Sequence, residues 1–154
     1  MSRSAIQDLY PDDLAHCFGC GRHNPHGHQL KSYIEGENVV ARFTPEDHDV
    51  SIPGFVYGGL LASLADCHAM ATASAADLGS SPEDAPRYVT ASLRVDYLKP
   101  TRLGVELQIL GRVTERSPRK KIVAVTISAA GTIRVSAEVV AVRMPKEMVP
   151  AEAR

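Results

Sequence analysis

Tyr57-Gly58-Gly59-Leu60-Leu61-Ala62-Ser63-Leu64-Ala65-Asp66 decides how the rest of the chain is read. Two adjacent glycines open an apolar run, and a carboxylate stands seven residues after the second glycine, still inside that run. Paired glycines let a backbone bend tightly and let another molecule approach its N–H groups. From Gly58 to Leu78 the chain is rich in Ala, Leu and Met, and Ala and Leu are strong helix formers. The pattern predicts a helix over Gly58–Leu78, ended by Gly79 in the C′ position with Pro82 soon after. Its start would present free N–H groups and the positive end of the helix dipole. Almost every position is apolar or small, so the helix must be buried on most sides. Asp66 is then a charge where a core residue is expected.

Working outward, Gln29–Glu35 and Asn38–Phe43 are short β-like runs split by Glu35-Gly36-Glu37, a turn composition. Pro53-Gly54 breaks regular structure just before the helix. After the helix, Tyr88–Leu98, Leu103–Glu115, Lys121–Ala130 and Ile133–Met144 alternate apolar and polar residues, with turns at Lys99-Pro100-Thr101, Arg116-Ser117-Pro118-Arg119 and Gly131-Thr132. Period-two alternation over four consecutive segments argues for an antiparallel sheet with one packed face. The order is two strands, one helix, then a meander, which is α+β rather than βαβ repetition. A single apolar helix has no partner helix, so the sheet should wrap around it. Residues 1–27 read as a loop-rich lead-in with a short helix near Pro11–His16, residues 28–145 as the domain, and 146–154 as a polar tail.

At 154 residues the chain can bury one real core. A net charge of −1 supplies no basic field for nucleic acid. Aromatic residues at 5%, with no Trp, disfavour stacking platforms for single strands. No apolar run reaches the roughly 18 residues of a membrane span, and Met1–Tyr10 lacks a signal segment. Three cysteines in that setting read as reduced thiols of a cytoplasmic protein.

With these elements in this order, the chain resembles hotdog-fold thioesterases of the PaaI-like acyl-CoA type. The resemblance is carried by Gly58-Gly59 and Asp66, by the entry segment Cys17-Phe18-Gly19-Cys20-Gly21 with Asn24-Pro25-His26-Gly27, and by Tyr97-Leu98-Lys99-Pro100 at a strand end. It covers about residues 16–144. It implies a homodimer whose sheets join edge to edge, two active sites at that interface, dimers pairing into homotetramers, an acyl-CoA substrate and no cofactor. It implies Asp66 as general base or nucleophile, the Gly59 backbone N–H polarising the thioester carbonyl, and Thr90 positioning the attacking water. Two positions depart from the family pattern. Ser51 stands where many members have Asn, and Tyr57 stands where His commonly precedes the glycine pair. A Tyr hydroxyl can donate a hydrogen bond but does not titrate near neutral pH.

The chemistry such residues can perform is simple. A helix start stabilises developing oxyanion charge, and a carboxylate with a pKa raised by burial can activate water or attack directly. Against this, Asp66 could be a buried acid satisfied by hydroxyls, Thr90 an ordinary strand residue, and Tyr57 a packing residue beside Gly58. His68 falls on a different helix face from Asp66 and reads as a core or interface histidine. Cys17-x-x-Cys20, near His16, His23, His26 and His28, suggests zinc, but there is no second cysteine pair and Cys67 stands alone on the helix. No metal is therefore expected. Arg116, Arg119, Lys120 and Lys121 form either a charged hairpin tip or a clamp for the coenzyme A phosphates. Three functions stay open: thioester hydrolysis, non-catalytic acyl-CoA binding, and enoyl-thioester hydration or dehydration. The last usually requires a His with an acidic partner, which Tyr57 does not supply.

Overall fold

The computed structural model describes residues 4–78 and 85–151. Six strands form one antiparallel sheet around one helix: β1 Ser32–Glu35, β2 Asn38–Phe43, α1 Gly58–Ala75, β3 Tyr88–Tyr97, β4 Leu107–Arg116, β5 Lys120–Ala129 and β6 Thr132–Arg143. The strand order is β1-β2-β4-β5-β6-β3, so the chain crosses the sheet through α1 and places β3 at the far edge beside β6. The sheet wraps around the helix as the order of elements predicted, and the arrangement is the hotdog fold that the family resemblance implied. No helix among the described residues is long and apolar enough to cross a membrane.

Helix α1 packs across β3, β4, β5 and β6. Leu60, Leu61, Leu64, Ala65, Ala69 and Ala73 meet Leu107, Ile109, Val123, Val125, Ile127 and Val139 in one core. Small residues between the leucines let the helix lie close to the strands, and twelve of its residues are buried. His68 is a core histidine. Its Nε2 lies 2.9 Å from the Val39 carbonyl and its Nδ1 2.9 Å from Ser32 Oγ. A carbonyl can only accept, so Nε2 carries the proton and Ser32 donates to Nδ1. Burial pushes the His68 pKa down to about 4, against the hydrogen bond to Val39, so the ring is neutral and fastens α1 to β1 and β2.

The element boundaries depart from the alternation pattern where loops take over the backbone bonds. β1 begins at Ser32 rather than Gln29 because Gln29 adopts φ 51° and Leu30 N–H donates to the Gly19 carbonyl. β4 begins at Leu107 rather than Leu103. Leu103 and Gly104 donate instead to Gly54 and Pro45, in the segment that leads into α1. The β5–β6 turn uses Ala130 and Gly131, both at positive φ, one residue earlier than expected. Such a pair matches the twist of a two-residue hairpin. Helix α1 ends at Ala75, three residues before the expected Leu78, and Asp77 and Leu78 close a tight turn onto Ser74 and Ala75. The expected Gly79 and Pro82 stop signals lie outside the described residues. The lead-in carries two single-turn 3-10 helices, Ile6–Leu9 and Asp12–Leu14, and buries Ile6 and Tyr10 against Ala71 and Ala85.

β3 differs most from its pattern. Its apolar residues alternate as expected, yet Leu93 is 39% and Tyr97 53% exposed. A β-bulge between Thr90 and Ser92 shifts its register on β6, and bulges concentrate at sheet edges and near active sites.

Candidate active site

The loop before α1 is pinned at several points. The buried Asp49 accepts from Glu46 N–H at 2.9 Å through its carboxylate and from Tyr57 N–H at 3.0 Å through its carbonyl. Val56 N–H donates to the Thr101 carbonyl at 2.9 Å. These bonds deliver the glycine pair to the helix start. Tyr57 is the N-cap and makes no side-chain cap bond, and Gly58 and Gly59 N–H have no acceptor among the described residues. As the first helical donors they have none available within the helix. Two tyrosines flank them. A methyl at Gly59 would sit 2.8 Å from the Tyr57 ring, and Tyr97 Oη donates to the Gly58 carbonyl at 2.8 Å. Tyr97 holds the helix start although it lies 39 residues away. Its place in the Tyr97-Leu98-Lys99-Pro100 motif was the only sequence signal for it. Ser51 is exposed at the loop's outer bend, its N–H bonded to the Phe55 carbonyl.

Two turns along the helix, Asp66 is half-buried and accepts a hydrogen bond from Thr90 Oγ1 on β3. Among the described residues no Lys, Arg or His forms an ion pair with it. Burial pushes its pKa up, the Thr90 hydrogen bond opposes this, and the sulfur of Cys17 adds to it. Asp66 and Thr90 line a cavity of about 160 Å³ together with Cys17, Cys20, Cys67 and Tyr88. A larger recess, about 380 Å³, lies between Phe55, Pro100, Arg102, Val105, Ala129 and Arg134. Its lining contains no carboxylate among the described residues.

The structure brings Asp66 and Thr90 together but leaves the glycines outside their cavity. Seven residues of helix separate Gly59 from Asp66, an axial rise of about 10 Å. Tyr57, Gly58 and Gly59 form the helix start, and Ser51 lies earlier in the preceding loop, bonded to Phe55. Arg119 and Lys120 lie at the β4–β5 hairpin. Strand register sets Lys121 opposite Ala141 and Ala141 opposite Thr90, so the hairpin base is two strand spacings, roughly 10 Å, from Thr90.

Two sequence expectations are corrected. Lys121 is not an exposed clamp residue. Its side chain is 3% exposed, and its ammonium donates to Asp77 at 2.6 Å and also to Tyr88 Oη. Cys67 is not alone. The Sγ atoms of Cys17, Cys20 and Cys67 all lie within 4.8 Å of one another. Hydrogen bonds from Cys20 and Cys67, then from the Cys20 and Gly19 backbones, hold the Cys17 thiol well below the usual thiol range although burial opposes them. Hydrogen bonding with Cys17 pushes the Cys20 thiol up to about 12, and the Cys67 thiol rises for the same first reason.

The same fold occurs in known proteins. The thioesterase superfamily profile matches residues 53–140. A thioesterase superfamily protein from Shewanella loihica PV-4 is 42% identical, over 88% of this chain and 100% of that one, with a TM-score of 0.69. Two more distant structures share the fold. The smu.793 protein of Streptococcus mutans UA159, bound to acetyl CoA, is 23% identical over 76% of this chain and 90% of that one (TM-score 0.63). The Escherichia coli PaaI protein from the phenylacetic acid degradation operon is 15% identical over 77% and 81% (TM-score 0.65). No curated protein sequence matches the chain. The matched span takes in the glycine pair, all of α1 with Asp66, and β3 with Thr90, and with most of both chains aligned at 42% identity, this protein belongs to the thioesterase superfamily.

Proposed function

We propose that the protein hydrolyses an acyl-CoA thioester to a carboxylate and free coenzyme A. The observation that carries the reading is Asp66: a half-buried carboxylate with no cationic partner among the described residues, held by Thr90 at the wall of a small cavity. Its raised pKa suits a base working near neutral pH. In the proposed reaction Asp66 takes a proton from water, and the hydroxide adds to the thioester carbon. The Gly59 N–H, at the positive end of α1, stabilises the oxyanion, and as the C–S bond breaks Asp66 passes its proton to the departing sulfur, which leaves as the thiol. Direct attack by Asp66, giving an anhydride that water then cleaves, uses the same groups.

The separation along α1 supports a shared site. One carbonyl group cannot touch both Gly59 N–H and Asp66 of one helix when the two are about 10 Å apart along the axis. We therefore assign the oxyanion donor to one protomer and the acid with Thr90 to the other, across a homodimer joined at the exposed β3 edges. Leu93 and Tyr97 supply exposed apolar surface on that strand. Dimers could pair further into tetramers, as the family resemblance implies. Ser51, Tyr57 and Gly58 then border the acyl group, and Arg119 and Lys120 are left for the coenzyme A phosphates, Lys121 being engaged with Asp77. The acetyl CoA bound to the Streptococcus mutans protein supports this ligand class.

The test is a panel of short, long and aromatic acyl-CoAs, with thiol release followed for the wild type and Asp66→Asn side by side. Turnover that disappears in the folded variant supports the reading. Thermal stabilisation by acyl-CoA with no turnover by the wild type replaces it with the binding-protein reading.

A further inference from the structure

Three thiols from two distant segments converge where the lead-in meets α1. Cys17 and Cys20 sit on one tight turn, and Cys67 comes from the helix 50 residues later. All three are free, and the Cys17 and Cys67 sulfurs are 3.8 Å apart. A tetrahedral zinc–thiolate centre with bonds of about 2.3 Å has sulfur–sulfur edges of about 3.8 Å. One edge of the sulfur triangle has that length and all three sulfurs lie within 4.8 Å of one another, close to one face of a coordination tetrahedron.

The surrounding backbone is built for that face. Gly21 N–H donates to the Cys17 carbonyl at 2.7 Å and closes the turn. Gly19 leaves room for the helix thiol, since a methyl there would lie 2.3 Å from Cys67 Sγ. Buried cysteines acting as small apolar residues account for a lone thiol. They do not account for three that converge from segments 50 residues apart. No histidine or carboxylate among the described residues joins the cluster. His23 is held by Asp12 and His28 packs between Phe18 and Phe43.

We propose that Cys17, Cys20 and Cys67 form a binding site for a zinc-like d10 cation, with the fourth coordination position left to a solvent molecule on the side of the cavity they line. Binding exchanges the thiol protons for the cation. It would join the lead-in turn to the middle of α1, next to Asp66. The site stands on its own sulfur geometry and does not require the chain to be a thioesterase.

The experiment uses the full chain, reduced and stripped of metal under nitrogen, with three free thiols confirmed by thiol titration. Co²⁺ is then added as the spectroscopic probe and Zn²⁺ as the competitor. The expected result is one Co²⁺ per chain, with sulfur-to-cobalt charge transfer of three-thiolate intensity, tetrahedral visible bands, and displacement by Zn²⁺. Cys67→Ser should lower the affinity more than ~100-fold, since even an outer-shell partner is worth ~10–100-fold. Cys17→Ser, outside the helix, should do the same, and circular dichroism checks that each variant is folded. A reduced wild type that takes up neither ion overturns the proposal. So does a spectrum that survives in both variants.

Discussion

Two aspartates bracket the second half of α1, and the chain treats them in opposite ways. Asp66, in mid-helix, accepts a hydrogen bond from one hydroxyl, lines a cavity with three cysteines and Arg87, and forms no ion pair among the described residues. Asp77, just past the helix end, meets Lys121 at 2.6 Å, Arg143 at 3.2 Å and the Tyr88 hydroxyl. Burial works against ionisation at both. At Asp66 it prevails and the pKa rises. At Asp77 the hydrogen bonds of Lys121 and Tyr88 and the two positive charges outweigh it, and the pKa falls. Compensation is what separates them. A carboxylate matched by cations holds the end of the helix to β5 and β6, whereas an uncompensated one is poised to accept a proton.

The contrast breaks most directly at Asp66. Asp66→Asn should lower kcat/KM on the best acyl-CoA by ~10²–10⁴-fold, the usual worth of a positioned base. Its melting temperature should stay level or rise, because the removed charge was penalised by burial. An Asn variant that keeps its turnover would make Asp66 the merely structural acid of the pair. The next largest effect belongs to Asp77. Asp77→Asn strands the Lys121 ammonium, which should cost about 3 kcal/mol in urea unfolding, with turnover per folded molecule unchanged. Adding Lys121→Met to that variant should recover most of the loss, because the stranded charge goes with it. A double variant no more stable than the single one would show that Asp77 acts through something other than its cations.

The same contrast explains what could be read from the residues. Local patterns sufficed for the start of α1 at Gly58, for β2 to the residue, and for His68 as a core group, because glycine pairs, alternation and helical phase act over a few neighbours. They failed where the deciding partner is remote. Lys121 reads as part of a hairpin tip because nothing near it reveals Asp77, 44 residues earlier. Cys67 reads as solitary because its partners lie on a turn 50 residues upstream. The exposed apolar residues of β3 alternate as a buried strand would. Only the strand order shows that β3 is an edge. Asp66 itself was legible, as a charge in an otherwise apolar helix. Its lack of an ion-pair partner among the described residues was not, since that is a property of the assembled neighbourhood.

Thr90 sharpens the comparison at smaller scale, because its hydroxyl is the one group on β3 that favours the ionised form of Asp66. Hydrogen bonds to charged groups are worth roughly 1.5–3 kcal/mol, so Thr90→Val should slow turnover by at least about tenfold. Thr90→Ser, which keeps the hydroxyl, should restore most of the rate. If Thr90→Ser is as slow as Thr90→Val, the methyl's packing at the bulge matters and the hydrogen bond does not.

The smallest effect is a difference of slope, and it tests both acids together. Asp77 has a folded pKa below its unfolded value, so the unfolded chain binds the extra proton. Its contribution is complete above the ordinary carboxylate range and is lost as pH falls through about 4 and below. Asp66 has a folded pKa above its unfolded value, so the folded chain binds the extra proton and stability falls as pH rises past about 4. In urea unfolding followed from pH ~3 to ~7, the stability deficit of Asp77→Asn should therefore widen as pH rises. Over the same range Asp66→Asn should gain on the wild type. The two difference curves must slope in opposite directions, because one acid is bound more tightly as an anion and the other as a neutral group. Curves of the same sign would mean that cations, hydroxyls and burial do not divide the two sites as their surroundings indicate.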